Sequence, residues 1–301
     1  MAFVDARLTD RALVWRAGPH VLGGSGRTLV MGILNVTPDS FSDGGSFADP
    51  GAAVDRAVAM IEEGADIIDV GGESTRPGAA EVTVNEECAR VLPVIGAVAA
   101  HPAATAVPVS IDTRKAAVAA RALAAGATIV NDVSGGADPG MFEVVRDAGA
   151  GMVLMHMRGT PQDMQEHTDY ADVVADVRRE LAERLQDAVD AGVAAERLAV
   201  DPGLGFAKTA GQNLELLRRI EAFWELERPV VVGPSRKSFV GRITHTDVDD
   251  RLAGTAGAVA WLVARHVDAV RVHDVREMVR VARIVEAIRD AHPGEEPPPW
   301  P

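Results

Sequence analysis

Cysteine is the scarcest chemistry in this sequence. Cys88 stands alone among 301 residues, which excludes an intramolecular disulfide and any metal site built from several thiolates. Positive charge is the next shortage: 30 Lys and Arg face 44 Asp and Glu, a formal net charge of −14. A surface of that sign repels phosphate backbones and anionic lipid, so nucleic acid and membranes are poor partners. A small anionic substrate is still admissible, because cations clustered in a cleft outweigh a distant field that salt screens. No apolar run approaches the roughly 20 residues that span a bilayer. The opening stretch MAFVDARLTD lacks a basic segment followed by an apolar one, so no signal peptide is expected. Missing too are G-x-x-x-x-G-K-[ST], H-E-x-x-H and G-x-S-x-G. The expectation is a soluble cytoplasmic protein.

What is present is a rhythm. Eight short apolar runs recur: TLVMGILNV (28–36), DIIDVGGE (66–73), VPVSIDT (107–113), TIVNDVSG (128–135), GMVLMHM (151–157), LAVDPG (198–203), PVVVGPSR (229–236) and VDAVRVH (267–273). Ala-rich stretches of helical period separate them. In PGAAVDRAVAMIEEGA, Ala53, Ala57, Met60 and Ile61 share one face. Gly64, Gly126, Gly149 and Gly192 each close such a stretch just before the next run, as helix C-caps do. Continuous apolar runs are the mark of parallel strands buried on both faces. Eight βα units predict a closed (β/α)8 barrel, the TIM-barrel architecture. An open doubly wound sheet is the alternative, disfavoured by the count and by the lack of G-x-G-x-x-G after the first strand. Residues 1–27 predict a short β-hairpin covering the N-terminal end of a single domain, 1–290. The tail 291–301, with PGEEPPPWP, is expected to be disordered.

Barrel chemistry sits at the C-terminal ends of strands, and here every strand ends in a polar or charged residue. In order these are Asn35; Asp69, Glu73 and Ser74; Asp112; Asn131 and Asp132; His156; Asp201; Ser235, Arg236 and Lys237; Arg271 and His273. Polar residues also mark where any strand stops, but eight strands doing so together is a pattern. Strand starts are less polar, apart from Thr28, Asp66, Thr128 and Asp268. Two chemical classes converge. Asp112, Asn131 and Asp201 suit a flat heterocycle bearing N–H donors, with a guanidine- or aminopyrimidinone-like edge. Arg76, Lys237, Arg271 and His273, read as four potential cations, suit a phosphate or diphosphate. Asn35 is a neutral oxygen compatible with Mg2+, which keeps most of its waters. Such residues also make structural ion pairs, and Asp69 is read as core or support. Glu73 reads as a loop organiser and Cys88 as core, while His156 is open between packing and ligation. The SRKS stretch at 235–238 starts a helical turn whose N–H groups favour an anion.

The motifs MGILNVTPDSFSDGG (31–45), DIIDVGGESTRPGA, VSIDTRK, IVNDVSGG, LMHM, DPGLGFAKT, VGPSRKSF and VRVHDV closely resemble the dihydropteroate synthases of folate biosynthesis, the sulfonamide targets. The likeness runs in order over roughly residues 12–290 and shares the (β/α)8 fold. It implies that p-aminobenzoate is joined to (7,8-dihydropterin-6-yl)methyl diphosphate, with Mg2+ as cofactor and a homodimer as the assembly. It implies a pterin pocket at Asp112, Asn131, Asp201 and Lys237, walled by Met155 and Phe206. It implies a diphosphate site at Asn35, Thr75, Arg76, Arg271 and His273, with the metal at Asn35 and Asp43 as a second contact. The aminobenzoate pocket falls on Phe41, Thr75, Pro77, Lys237 and Ser238. Asp201, Lys237, Arg271 and His273 are the expected catalytic set, and Thr37–Gly45 the expected lid. Pro234 departs from the family's more usual Met or Ala. The alternatives are a pterin-binding methyltransferase module, which has no need of the diphosphate loops, and a non-catalytic paralogue, which could dispense with Arg76, Lys237 or Arg271. Helix LAGTAGAVAWLVARHV is apolar nearly all round, so either a partner covers its outer side or Trp261 simply packs inward.

Overall fold

The computed structural model describes residues 13–37, 50–75 and 81–292. Eight parallel strands form the barrel: β3 (Leu29–Asn35), β4 (Ile67–Gly71), β5 (Val109–Asp112), β6 (Ile129–Asp132), β7 (Gly151–Met155), β8 (Leu198–Asp201), β9 (Val231–Val232) and β10 (Ala269–Val272). Their spatial order is β8-β7-β6-β5-β4-β3-β10-β9. A Val200–Val230 bridge joins the two ends and closes the ring. Each of the eight expected apolar runs supplies one strand.

Helices follow each strand: α1 (Pro50–Glu62), α2 (Val84–Ala100), α3 (Ala116–Ala124), α4 (Met141–Ala148), α5 (Val173–Asp190), α6 (Ala210–Arg218), α7 (Ser238–Thr244), α8 (Leu252–Val263) and α9 (Val275–Arg289). The turns predicted at Gly64, Gly126, Gly149 and Gly192 have φ of +101°, +118°, +59° and +91°, a region that a Cβ disfavours and glycine enters freely. Helix starts are fixed by their side chains. Thr83 with Glu86, and Thr209 with Gln212, form reciprocal capping boxes, and Asp172 accepts from Val174 and Ala175 at the head of α5. Two local expectations change. The segment 211–226, which reads as one helix, breaks at Arg219 into α6 and a 3-10 turn over Ile220–Leu226. Strand β9 shortens to two residues before the chain turns into α7 at Ser238.

The hairpin of β1 (Val14–Ala17) and β2 (His20–Gly23) is antiparallel. Trp15 is wholly buried and packs with Leu29, Met31, Ile67, Ile129, Val153, Ala199, Val231 and Ala269, the inward residues of the barrel's lower layer. Its Nε1–H donates to Arg197 O at 2.9 Å. A Cβ at Gly151 would sit 3.0 Å from that of Ala17, so glycine at the start of β7 is what lets the hairpin lie flush. The hairpin plugs the N-terminal end, as its sequence suggests. Among the described residues no helix is long and apolar enough to cross a membrane.

Candidate active site

With one end plugged, the opposite mouth is where side chains from different strands meet. Successive residues point to opposite faces, so within each strand the residues two apart look into the barrel. Asp69 follows inward Ile67, Asn131 follows Ile129, Asp201 follows Ala199 and Arg271 follows Ala269. Thr75, Asp112, Asn131, Met155, Asp201, Phe206, Lys237 and Arg271 line one cavity there, together with Val133, Leu204 and Gly233.

Arg271 is the centre of the cavity's electrostatics. Its Nε donates to Asp69 Oδ2 and its Nη2 to Asp112 Oδ2, both at 2.6 Å. Burial works against the guanidinium charge, but Asp69 and Asp112 hold its pKa above the ordinary value. Asp69 Oδ2 also accepts from Asn131 Nδ2 at 3.0 Å. Asp69 is thus the buried support expected of it. One Asn131 N–H is engaged from behind, which leaves the other N–H and the carbonyl oxygen for a ligand. Burial pushes the Asp112 carboxyl up, against the pull of Arg271, with Asp69 adding repulsion. Burial also raises Asp201, opposed first by the Gly203 N–H, which donates to its Oδ1 at 2.7 Å. Lys237 is pushed down to about 8, by burial first, with Asp201 pulling the other way. Its ammonium lies 4.3 Å from the centroid of the Phe206 ring, a cation–π contact. Met155 and Phe206 pack with Val133, Met164 and Ala207 as an apolar wall.

His273 belongs to the mouth but not to its cations. Burial lowers it to about 3, with Arg271 and Arg236 adding to the effect. Its backbone N–H donates to Ser235 Oγ at 3.2 Å, and Ser235 Oγ lies 2.9 Å from its Nδ1. Which of the two atoms donates is set by the ring's tautomer. The expected fourth cation is a neutral N–H donor, because desolvation outweighs anything that would charge it. Asn35 ends β3 beside Gly71. A Cβ at Gly71 would fall 3.7 Å from Asn35 Oδ1 and 3.6 Å from Asp112 Oδ2, so glycine keeps an open cradle between those oxygens. Among the described residues no group of three His, Cys, Asp or Glu can enclose a metal. A single carboxamide oxygen beside an open space fits Mg2+, which is satisfied by few protein ligands. Ser238 is the exposed first residue of α7. Phe41, Asp43, Arg76 and Pro77, and with them most of the expected lid, lie outside the described residues.

Glu73 organises its loop: it accepts from Val82 N at 3.0 Å, Lys115 Nζ at 3.0 Å and Arg114 Nε at 3.3 Å. His156 is buried and takes the packing role. Burial lowers it to about 4, and its Nε2 meets Glu180 Oε2 at 2.9 Å. Reading by strand end misses Lys208, which lies seven residues past Asp201 and is buried to 3% exposure. The available signal was a lone lysine inside the glycine-rich DPGLGFAKT. Trp261 corrects an alternative left open above. It is 40% exposed, its Nε1–H donates to Leu217 O at 2.7 Å, and Arg265 stacks on its ring, so it faces outward.

The profile of the family described as "Pterin binding enzyme" matches residues 31–273. The dihydropteroate synthase of Synechocystis sp. is 46% identical over 264 residues, 87% of this chain and 90% of that protein. The Xanthomonas albilineans dihydropteroate synthase in complex with 7,8-dihydropteroate superposes with a TM-score of 0.83 at 39% identity, covering 93% of this chain and 100% of the other. The Yersinia pestis enzyme in complex with a sulfonamide drug gives 0.86 at 41% identity, over 93% and 100%. The chain belongs to the pterin-binding enzymes and, within them, to the dihydropteroate synthases.

Proposed function

We propose that the protein forms 7,8-dihydropteroate by transferring the (7,8-dihydropterin-6-yl)methyl group from its diphosphate to the amine of p-aminobenzoate. The observation that carries this is the single cavity in which Asp112, Asn131, Asp201, Lys237 and Arg271 converge between Met155 and Phe206. Asp201 accepts from the aminopyrimidinone N–H edge, the free carbonyl oxygen of Asn131 accepts a second N–H, and Lys237 donates to the ring's acceptors. Arg271, already shared between two carboxylates, neutralises the cavity that receives the ring. His273, Thr75 and Arg76 serve the diphosphate. The Asn35 carboxamide oxygen would hold Mg2+, which when bound neutralises diphosphate charge and improves it as a leaving group. Ser238 and the start of α7, with Phe41 and Pro77, serve the aminobenzoate, and a sulfonamide carrying the same aniline competes there.

The aromatic amine is a weak nucleophile, so we place C–O cleavage ahead of C–N formation. The Asp201 carboxylate stabilises positive charge that develops on the pterin, and exclusion of water protects it. An isotope effect showing a strongly bonded nucleophile in the transition state would count against this order. The functional reading itself is tested by incubating the purified protein with both substrates and Mg2+, and following dihydropteroate and diphosphate. Equal release of the two is expected, and no release overturns the proposal.

Exposed Trp261 borders an apolar groove with Leu214, Leu217, Phe239, Val240 and Ile243. We assign this face to a second copy of the chain, since an apolar groove of this kind on a charged surface calls for a partner. Light scattering should give twice the monomer mass. A lone buried Cys88 suits the reducing cytoplasm.

A further inference from the structure

Lys208 is a buried ionisable group that the proposed chemistry leaves unused. Its Nζ has three acceptors within reach: Phe206 O at 2.9 Å, His156 Nδ1 at 3.0 Å and, more weakly, His156 O at 3.4 Å. Burial pulls its pKa down to about 7, with Asp201 pulling the other way, and in the ammonium form each of its three N–H groups has a destination. Lysine is almost never this buried without such pairing.

The acceptors are not arbitrary. His156 directly follows Met155, and its backbone N–H donates to Asp201 O at 2.9 Å. Phe206 is the other apolar wall of the cavity. The ammonium therefore ties the end of β7 to the loop that follows β8. That loop needs tying. Gly203, Gly205 and Ala207 have φ of +69°, +83° and +50°, and at Ala207 the conformation is one that a Cβ disfavours. The bond from Lys208 to Phe206 O spans that residue. The same loop aims a catalytic group, because Gly203 N–H orients the Asp201 carboxylate. A Cβ on Gly203 would lie 3.4 Å from Nζ, so the ammonium sits against the residue that sets the carboxylate. The anchor continues outward. With Nδ1 accepting, His156 keeps its proton on Nε2 and donates to Glu180, whose carboxylate Arg158 also holds.

We propose that Lys208 is a positioning residue for the pterin site, clamping the Asp201–Thr209 loop so that Asp201 and Phe206 meet the ring in a fixed geometry. This rests on the dihydropteroate reading and adds a residue to it that touches neither substrate.

The test is Lys208→Met in the full chain, with folding checked by circular dichroism. The KM for pterin diphosphate should rise about tenfold, the scale of losing one charged hydrogen bond, while that for p-aminobenzoate changes by less than about twofold. Binding of a pterin alone, followed by its fluorescence, should weaken in parallel without any need for turnover. A folded variant with both KM values unchanged, or both raised by one factor, overturns the proposal. Should Lys208→Met fail to fold, Lys208→Gln, whose neutral amide has two N–H groups on a shorter side chain for the three acceptors, is read by the same KM ratio: a raised ratio supports the clamp and an unchanged one sinks it. A wild-type protein that binds pterin but releases no product would instead strike at the functional reading, and pterin affinity in the variants would still decide the role of Lys208.

Discussion

Both ends of the barrel are polar, but their polar side chains face different partners. At the closed end each of those that bond addresses the chain's own backbone, Asp66 adding an ion pair with the Arg27 side chain. Asp66 accepts from Val30 N and from Arg27, Asp268 accepts from Val230 N, and Thr28 donates to Val267 O while its own N–H reaches Glu286. These are three of the four polar strand starts that broke the pattern in the sequence, and they staple strand to strand beneath Trp15. At the open mouth the charged side chains around Arg271 address one another, although Asp201 also accepts from the Gly203 backbone. Arg271 divides itself between two carboxylates, and Asp69 between Arg271 and Asn131. Three of the four polar strand starts are satisfied without a ligand, and Thr128 Oγ1 is buried without a partner among the described residues. A net of charges held on one another costs desolvation, and a ligand with N–H donors can exchange into it. Polarity at one end stabilises, and at the other it recognises.

Removing Arg271 should break this contrast most severely. Arg271→Leu leaves Asp69 and Asp112 buried without their cation. We expect kcat/KM to fall by about a thousandfold or more, on the scale of losing a preorganised charge, and unfolding free energy to drop by about 3 kcal/mol for the broken pair. Steady-state kinetics and urea denaturation check both. Activity within about tenfold of wild type would mean that the mouth's charges serve structure alone.

The closed end predicts the reverse. Trp15→Ala removes the largest plug side chain and its bond to Arg197 O. Stability should fall by about 3–5 kcal/mol, as for other buried aromatics, while kcat/KM of the folded fraction, measured well below its melting temperature, changes by less than about twofold. A loss of kcat/KM as large as that of Arg271→Leu would show the two ends to be coupled through the barrel.

What the sequence disclosed, and what it did not, follows the same division. Strand number, glycine turns, the hairpin plug and the ring of polar strand ends were legible because period and position along the chain express them. So were Asp112, Asn131, Asp201, Lys237 and Arg271 as one constellation. Pairings were not. Arg271 and Asp69 lie 202 residues apart, and nothing local links them. The neutrality of His273 was hidden because burial, a property of the folded barrel, decides it. Lys208 and Glu180 escaped notice because they sit beyond a strand end and on a helix face. Trp261 faces outward on a helix whose apolar composition gives no preferred side.

The smallest of the three effects concerns protons. His273 and His156 are kept neutral at the mouth, down to about 3 and about 4 from an ordinary 6.5. The unfolded chain takes up a proton on each below about pH 6.5, whereas the folded chain does not until near those lower values. In that interval the unfolded state binds more protons, so stability declines as pH is lowered and the decline ends once the folded rings titrate. Each imidazole adds a slope of at most about 1.4 kcal/mol per pH unit. His273→Gln should therefore flatten the fall in unfolding free energy, measured by urea denaturation between pH 6.5 and 4.5, by up to that slope. His20, at the closed end, is also lowered by burial but remains partly in water, and His20→Gln should flatten the curve less. Identical slopes for wild type and His273→Gln would show that the ring charges freely in the folded protein. The mouth would then hold the additional cation that its burial argues against.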